Sequence, residues 1–147
     1  MENLSQYYQI VESAIKGLGI DPATCRGQKP GQWDLKKGSA SVWVDIMYIE
    51  KESRAYFQVM APICEVPASK LEDFYKELLE INYGLYGVSF VKYEKWIYIK
   101  MIREADGLDV NECSSMLNRV GNYSDHYDDY LKEKYHGTLG NGSSWGK

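Results

Sequence analysis

The sequence lacks the features that mark several large classes of proteins. It contains no uninterrupted apolar stretch of about 18 residues, so no segment qualifies as a membrane-spanning helix. Its first residues, MENLSQYYQI, show no basic region followed by an apolar core, and we therefore expect a cytoplasmic protein without a secretory signal. No run of Lys or Arg lies beside aromatic residues and the net charge is −4, which argues against nucleic acid as a partner. We expect no membrane partner either.

Cysteine and histidine are scarce, which limits nucleophilic and metal chemistry. Cys25, Cys64 and Cys113 are odd in number and far apart in the chain, a distribution that favours buried thiols over a disulfide framework or a zinc site. Of the two histidines, only His126 shares a predicted element with a cysteine. It follows Cys113 by 13 residues, which is about 20 Å along a helix, so the two cannot form a catalytic dyad.

Glycine-rich ligand motifs are missing as well. In the segment LEINYGLYGVSF, Gly84 and Gly87 follow a predicted helix, whereas a phosphate cradle needs free amides at the start of one. We expect Gly84 to be the left-handed residue that ends this helix and Gly87 to lie where the next strand begins. Asn82 is expected to bond nearby backbone at this corner. The sequence thus predicts a protein that is not an enzyme and has no cofactor.

One acidic segment, SDHYDDY, leaves a different interpretation open. Asp125 and Asp129 lie one helical turn apart, so a divalent cation could bridge them, with His126 to one side. The same spacing is also typical of a solvated acidic face, and we predict no metal site. A small metal- or ligand-dependent enzyme using these residues is retained as a third hypothesis.

Tyrosine is abundant, with 13 residues. Its ring covers apolar area while its hydroxyl stays available to water or a partner, so a tyrosine-rich surface suits contact with other chains. An amphipathic outer face of a sheet would use tyrosine in the same way.

The spacing of apolar residues predicts the order of secondary structure. A helical face begins at Leu4, and a period of two from Trp33 to Val66 predicts three strands joined by short turns. Ser69 and Glu72 have the spacing of a capping box and open a second helix, whose apolar stripe is Leu71, Phe74, Tyr75, Leu78 and Leu79. Two further strands follow, and Asp109 and Glu112 repeat the capping-box spacing before a last helix.

This order predicts an α+β fold with an antiparallel sheet of about five strands and three helices, arranged α-β-β-β-α-β-β-α. We expect a single domain over residues 1–136. The Gly/Ser-rich residues 137–147 are predicted to form a flexible tail.

The longest predicted strands are apolar on both faces. Val42, Val44 and Ile46 would share one face, and Trp43 and Met47 the other. Helices are expected to cover one side of the sheet, and a partner part of the other. The candidate protein-binding residues are Trp43, Met47, Tyr56, Trp96 and Tyr98.

Three segments carry a resemblance to a known family. They are GQWDLKKGSASVWVDI, LEDFYKELLEINYGLYGVSFVKYEKWIYIKMI and DGLDVNECSSML. Their order resembles the strand, turn and long strand, the helix ending in Leu-x-x-Asn with its strand pair, and the opening of the final helix in the YbjN family and the type III secretion chaperone-like (CesT-like) proteins. The similarity covers about residues 1 to 135.

The resemblance implies a non-enzymatic domain that is commonly a homodimer. Secretion chaperones of this fold hold an unfolded client segment along apolar grooves, whereas YbjN-like proteins are linked to stress responses and regulation. Our leading hypothesis is a chaperone-like binding module that captures a partner polypeptide by apolar and strand-edge contacts. The alternative is a regulatory or structural homodimer that acts in a stress response and has no client.

Overall fold

The segments with a period of two form one antiparallel sheet, and the segments with helical spacing form three helices. The computed structural model describes residues 3–136. The helices are α1 (Ser5–Gly17), α2 (Leu71–Gly84) and α3 (Val110–Tyr135). The strands are β1 (Gln32–Lys37), β2 (Ala40–Ile49), β3 (Arg54–Glu65), β4 (Ser89–Tyr93) and β5 (Trp96–Glu104). Their order in the sheet is β1-β2-β3-β5-β4, with every pair antiparallel. The predicted fold class and element order are confirmed. The tail at 137–147 lies outside the described residues.

Helix α3 packs across the middle of the sheet, and α1 packs against α3. The residues that point toward the helices are fully buried, as Val44, Phe57 and Ile99 show. From α3, Cys113, Val120 and Leu131 complete this core with no exposed area. Burying such side chains removes apolar surface from water, which is the main force holding the helices on the sheet.

The two predicted capping boxes have different outcomes. Asp109 caps α3 as expected, because its Oδ1 accepts a hydrogen bond of 2.7 Å from the amide of Glu112. Ser69 does not cap α2. The residue before that helix is Lys70, which is left-handed with φ of 59° and gives no side-chain cap. The predicted box is therefore wrong, since the chain turns one residue later than the Ser-x-x-Glu spacing requires.

The corner after α2 is held by Asn82 rather than by Gly84. Gly84 is the last residue of α2 and does not have a positive φ, so its predicted left-handed role is wrong. Gly87 does have a positive φ, of 74°, just before β4. The amide of Phe90 donates to Asn82 Oδ1 at 2.7 Å, which confirms that Asn82 bonds nearby backbone.

Candidate functional site

The face of the sheet that points away from the helices carries a partly exposed apolar surface. We call it the open face. Along β2, β3 and β5 its residues alternate with buried ones and are themselves half-buried or exposed. The open face comprises Trp43, Asp45, Met47, Tyr56, Gln58, Met60, Trp96, Tyr98, Lys100 and Ile102.

All five residues predicted to bind protein lie on the open face. Strand register places Met47 opposite Tyr56, and the rings of Trp43 and Tyr98 approach to 6.2 Å between centroids. Trp96 begins β5 at the same end of the sheet as Tyr98. Trp43 and Trp96 are each 37% exposed. The structure therefore brings the five side chains onto one surface, and their role in binding stays a prediction.

Charged and polar pairs border the open face at its other end. Tyr56 donates from its hydroxyl to Glu52 at 3.1 Å, and Arg54 pairs with Glu104 at 2.8 Å. Burial, followed by the bond to Glu52, raises the pKa of Tyr56. An apolar centre with a polar border is the usual composition of a protein–protein contact surface.

Asp45 lies within this apolar surface, flanked along β2 by Trp43 and Met47. Its cross-strand neighbours are Gln32 on β1 and Gln58 on β3, and the side chains of both act to lower its pKa. Burial nevertheless raises the pKa of Asp45. The alternation in the sequence places Asp45 on this face, but the two glutamine neighbours follow only from the strand register.

Both edges of the sheet are partly closed to a further strand. On β1, the amide of Asp34 donates to the carbonyl of Cys25 at 2.8 Å, and the amide of Gly27 donates to the carbonyl of Gln32 at 2.7 Å. On β4, the side chain of Asn82 hydrogen-bonds the backbone amide and carbonyl of Phe90. Strand addition needs free backbone groups, so the open face rather than a strand edge is the candidate site.

A second exposed apolar surface lies on the outside of α2 and the turn that follows it. Leu79 is 70%, Tyr83 95% and Tyr86 72% exposed. Beside it, a groove of about 300 Å³ separates Tyr75 and Leu79 of α2 from β4. The predicted apolar stripe placed Leu79 on the buried side of the helix. That placement is wrong, because α2 packs against the short edge strand β4 and, through Phe74 and Glu77, against the end of α3, which leaves Leu79 exposed. We call the surface formed by Leu79, Tyr83 and Tyr86 the α2 surface.

A pocket of about 450 Å³ between α1 and the loop before β1 is lined by an ion pair. Arg26 donates to Glu12 through two nitrogens, each at 2.8 Å, and Trp33 Nε1 donates to the same carboxylate at 2.9 Å. The bond from Arg26 holds the pKa of Glu12 below its usual value. These contacts connect α1 to β1. Because Arg26 and Trp33 already use the Glu12 carboxylate, we assign it no role in binding or catalysis.

The residues of the metal hypothesis do not converge. Asp125 accepts hydrogen bonds from the backbone and hydroxyl of Ser39 at 2.9 and 3.0 Å, whereas His126 and Asp129 are exposed. Within residues 3–136, no group of three His, Cys, Asp or Glu side chains is arranged to hold a metal ion. Cys113 is buried, and burial raises the pKa of its thiol to about 12. In the same range, no helix has both the length and the apolar character needed to cross a bilayer.

Comparisons with known proteins support the fold through structure alone. No protein-family profile and no curated protein sequence matches the chain. A chain of the ExsC–ExsE complex is similar with a TM-score of 0.63 and 12% identity, over 88% of this chain and 96% of that one. A chain of the HopA1–SchA chaperone–effector complex is similar with a TM-score of 0.63 and 9% identity, over 88% of this chain and 99% of that one.

These similarities show that the chain has a type III secretion chaperone-like fold, as the sequence resemblance predicted. The YbjN part of the resemblance stays an expectation, because it has no match of its own. At such low identities the similarity concerns the fold, and function has to be argued from the surfaces of this chain.

Proposed function

We propose that the protein is a non-enzymatic, cytoplasmic, chaperone-like module that captures a segment of a client polypeptide on its open face. The observation that carries the proposal is the cluster of Trp43, Tyr98 and Trp96, which stays partly exposed on a sheet whose other face is largely covered by helices. Aromatic side chains of this kind contribute most of the energy of protein contacts. The similar fold of a chain in a chaperone–effector complex supports the same role.

We further propose that the protein is a homodimer that associates through the α2 surface. Leu79, Tyr83 and Tyr86 project there at exposures of 70 to 95%. Assigning self-association to α2 leaves the open face available to a client. The alternative, a structural or regulatory dimer without a client, would instead use the open face for the contact between the two copies.

Sedimentation across a dilution series separates these two arrangements. Leu79→Ser combined with Tyr83→Ser is expected to yield a monomer, while Trp43→Ser leaves the dimer intact. If Trp43→Ser dissociates the dimer and the α2 variant does not, the open face is the self-association surface and the client proposal fails.

Client capture is tested by adding an unfolded, aggregation-prone polypeptide such as reduced α-lactalbumin and following its light scattering. The wild-type protein should suppress aggregation, and Trp43→Ser with Trp96→Ser should lose most of that activity. Val110→Ser provides a control, because Val110 is an exposed apolar residue outside both the open face and the α2 surface. Equal suppression by all the variants would contradict capture on this face.

A further inference from the structure

The open face contains a carboxylate that no cation compensates. Asp45 lies between Gln32 and Gln58 in neighbouring strands and between Trp43 and Met47 in its own. None of the ion pairs formed within residues 3–136 includes Asp45. At the border of the face Arg54 is already paired with Glu104, and Lys100 lies two strands away on β5 and does not pair with Asp45.

This carboxylate restricts what can cover the open face. The carboxylate of Asp45 contacts water only on the side that faces away from the sheet. Burial already raises the pKa of Asp45 in the free protein. A wholly apolar segment across Trp43 and Met47 would remove that water and supply nothing in its place, which opposes binding. An acidic segment would add repulsion between like charges. A segment with a basic side chain at this position would supply the missing charge and hydrogen-bond donor.

We propose that the client segment carries a lysine or arginine that pairs with Asp45, between apolar side chains that contact Trp43 and Met47. The inference rests on the proposed function, since it specifies the partner of the same face. Uncharged glutamines flank Asp45 in both neighbouring strands, so the charge that compensates Asp45 has to come from the client, and Asp45 acts as a specificity-determining residue. The net charge of −4 works in the same direction by attracting basic segments over longer distances.

The test uses a displayed library of random twelve-residue peptides selected on the intact protein. Binders that also bind Trp43→Ser are discarded, so that only ligands of the open face remain. The selection is repeated on Asp45→Asn, which preserves shape, and on Asp34→Asn. Asp34 is a matched control, because it lies opposite Trp43 on the edge strand β1 and is exposed.

We expect Lys and Arg to be enriched between apolar positions in peptides selected on wild type and on Asp34→Asn, and the enrichment to vanish on Asp45→Asn. Replacing the basic residue of a selected peptide by Gln should weaken binding to wild type about tenfold, the change that 1.4 kcal/mol produces. The same replacement should leave binding to Asp45→Asn nearly unchanged.

Every other outcome contradicts either the inference about the basic residue or the proposal of client capture. Peptides that need Trp43 but show no basic enrichment, or that bind Asp45→Asn equally, overturn the inference and leave client capture standing. A selection without any peptide that depends on Trp43 overturns both. If no peptide binds and Trp43→Ser also dissociates a dimer, a second copy of the chain occupies the face instead of a client.

Discussion

The side chain of Asn82 hydrogen-bonds both backbone groups of Phe90. The amide of Phe90 donates to Oδ1 at 2.7 Å, and Nδ2 donates to the carbonyl of Phe90 at 3.4 Å. The end of α2 thus takes the place of a sixth strand at the free edge of β4. This contact fixes the corner between helix and strand and also protects an edge that would otherwise pair with other chains.

Asn82→Ala is expected to lower stability without affecting the open face. The change leaves the amide and carbonyl of Phe90 unpaired in a part-buried position, which costs about 1–2 kcal/mol. Thermal unfolding should show a melting temperature several degrees lower. Asn118→Ala, at an exposed position of α3, is the control and should melt like the wild type. An unchanged melting temperature for Asn82→Ala would remove Asn82 as the residue that holds the corner.

A pair of capping variants separates two positions that look alike in the sequence. Asp109→Ala removes the hydrogen bond to the amide of Glu112 and should destabilise the protein by about 1 kcal/mol. Asp109→Asn keeps an oxygen in place and should lose much less. Ser69→Ala is expected to have no measurable effect, because Ser69 caps nothing. Urea unfolding of the three variants checks this, and a loss of stability in Ser69→Ala would contradict the observed helix start.

These two positions illustrate how far the sequence determines the fold. Periodicity is a local property, so it predicted the strands and placed Val42, Val44 and Ile46 on one face, which the structure buries. The α+β class and the order of elements follow from the same local pattern. Helix capping depends on where the chain turns after β3, and the spacing of Ser69 and Glu72 does not contain that information.

Properties that depend on distant parts of the chain were not predictable. The exposure of Leu79 follows from α2 packing at the edge of the sheet, against β4 and the end of α3, which no spacing within α2 reveals. The candidate site was predictable as a face, since Trp43 and Met47 alternate with buried residues. The neighbours of Asp45 were not, because they depend on the register of three strands.

Glu77 ties α2 to the end of α3, which predicts an acid-sensitive contact. Its carboxylate accepts from the hydroxyls of Tyr130 and Tyr135 and pairs with Lys134 at 3.0 Å. Burial disfavours the charged form, but these donors outweigh it, so the pKa of Glu77 is lowered. The stabilisation is therefore present above the unfolded-state pKa and is lost as the pH falls through the folded-state value.

Glu77→Gln should lower the free energy of unfolding at neutral pH by about 1–3 kcal/mol, because bonds to a charged acceptor are replaced by weaker ones. The difference from wild type should shrink on acidification, as measured by denaturant unfolding from pH 7 to pH 3. Glu80→Gln is the control, since this exposed residue lies on the same helix. A deficit that does not change with pH would show that Glu77 acts by packing alone.

Asp128 should give the opposite pH dependence. The hydroxyl of Ser39 lies 3.0 Å from Asp125 Oδ1 and 2.9 Å from Asp128 Oδ2, and its single hydrogen serves only one carboxylate at a time. Asp128 is 3% exposed, and burial, together with the charge of Asp129, raises its pKa despite the bond from Ser39 and the attraction of Lys132. The bonds from Ser39 lower the pKa of Asp125. The pKa values of the two carboxyl groups are thus shifted in opposite directions, so Asp128 takes up a proton at a higher pH than Asp125 does.

Because its folded-state pKa lies above the unfolded value, Asp128 contributes most stability at low pH, and this contribution is lost as the pH rises through the folded-state pKa. Asp128→Asn mimics the protonated acid and keeps a donor for Ser39. It should therefore raise the melting temperature at pH 8 relative to wild type, with a smaller difference at pH 5. Asp125→Ala should instead destabilise at both values, since it removes the oxygen that accepts from the amide of Ser39. If Asp128→Asn lowers the melting temperature equally at pH 5 and pH 8, Asp128 binds Ser39 as an ionised carboxylate.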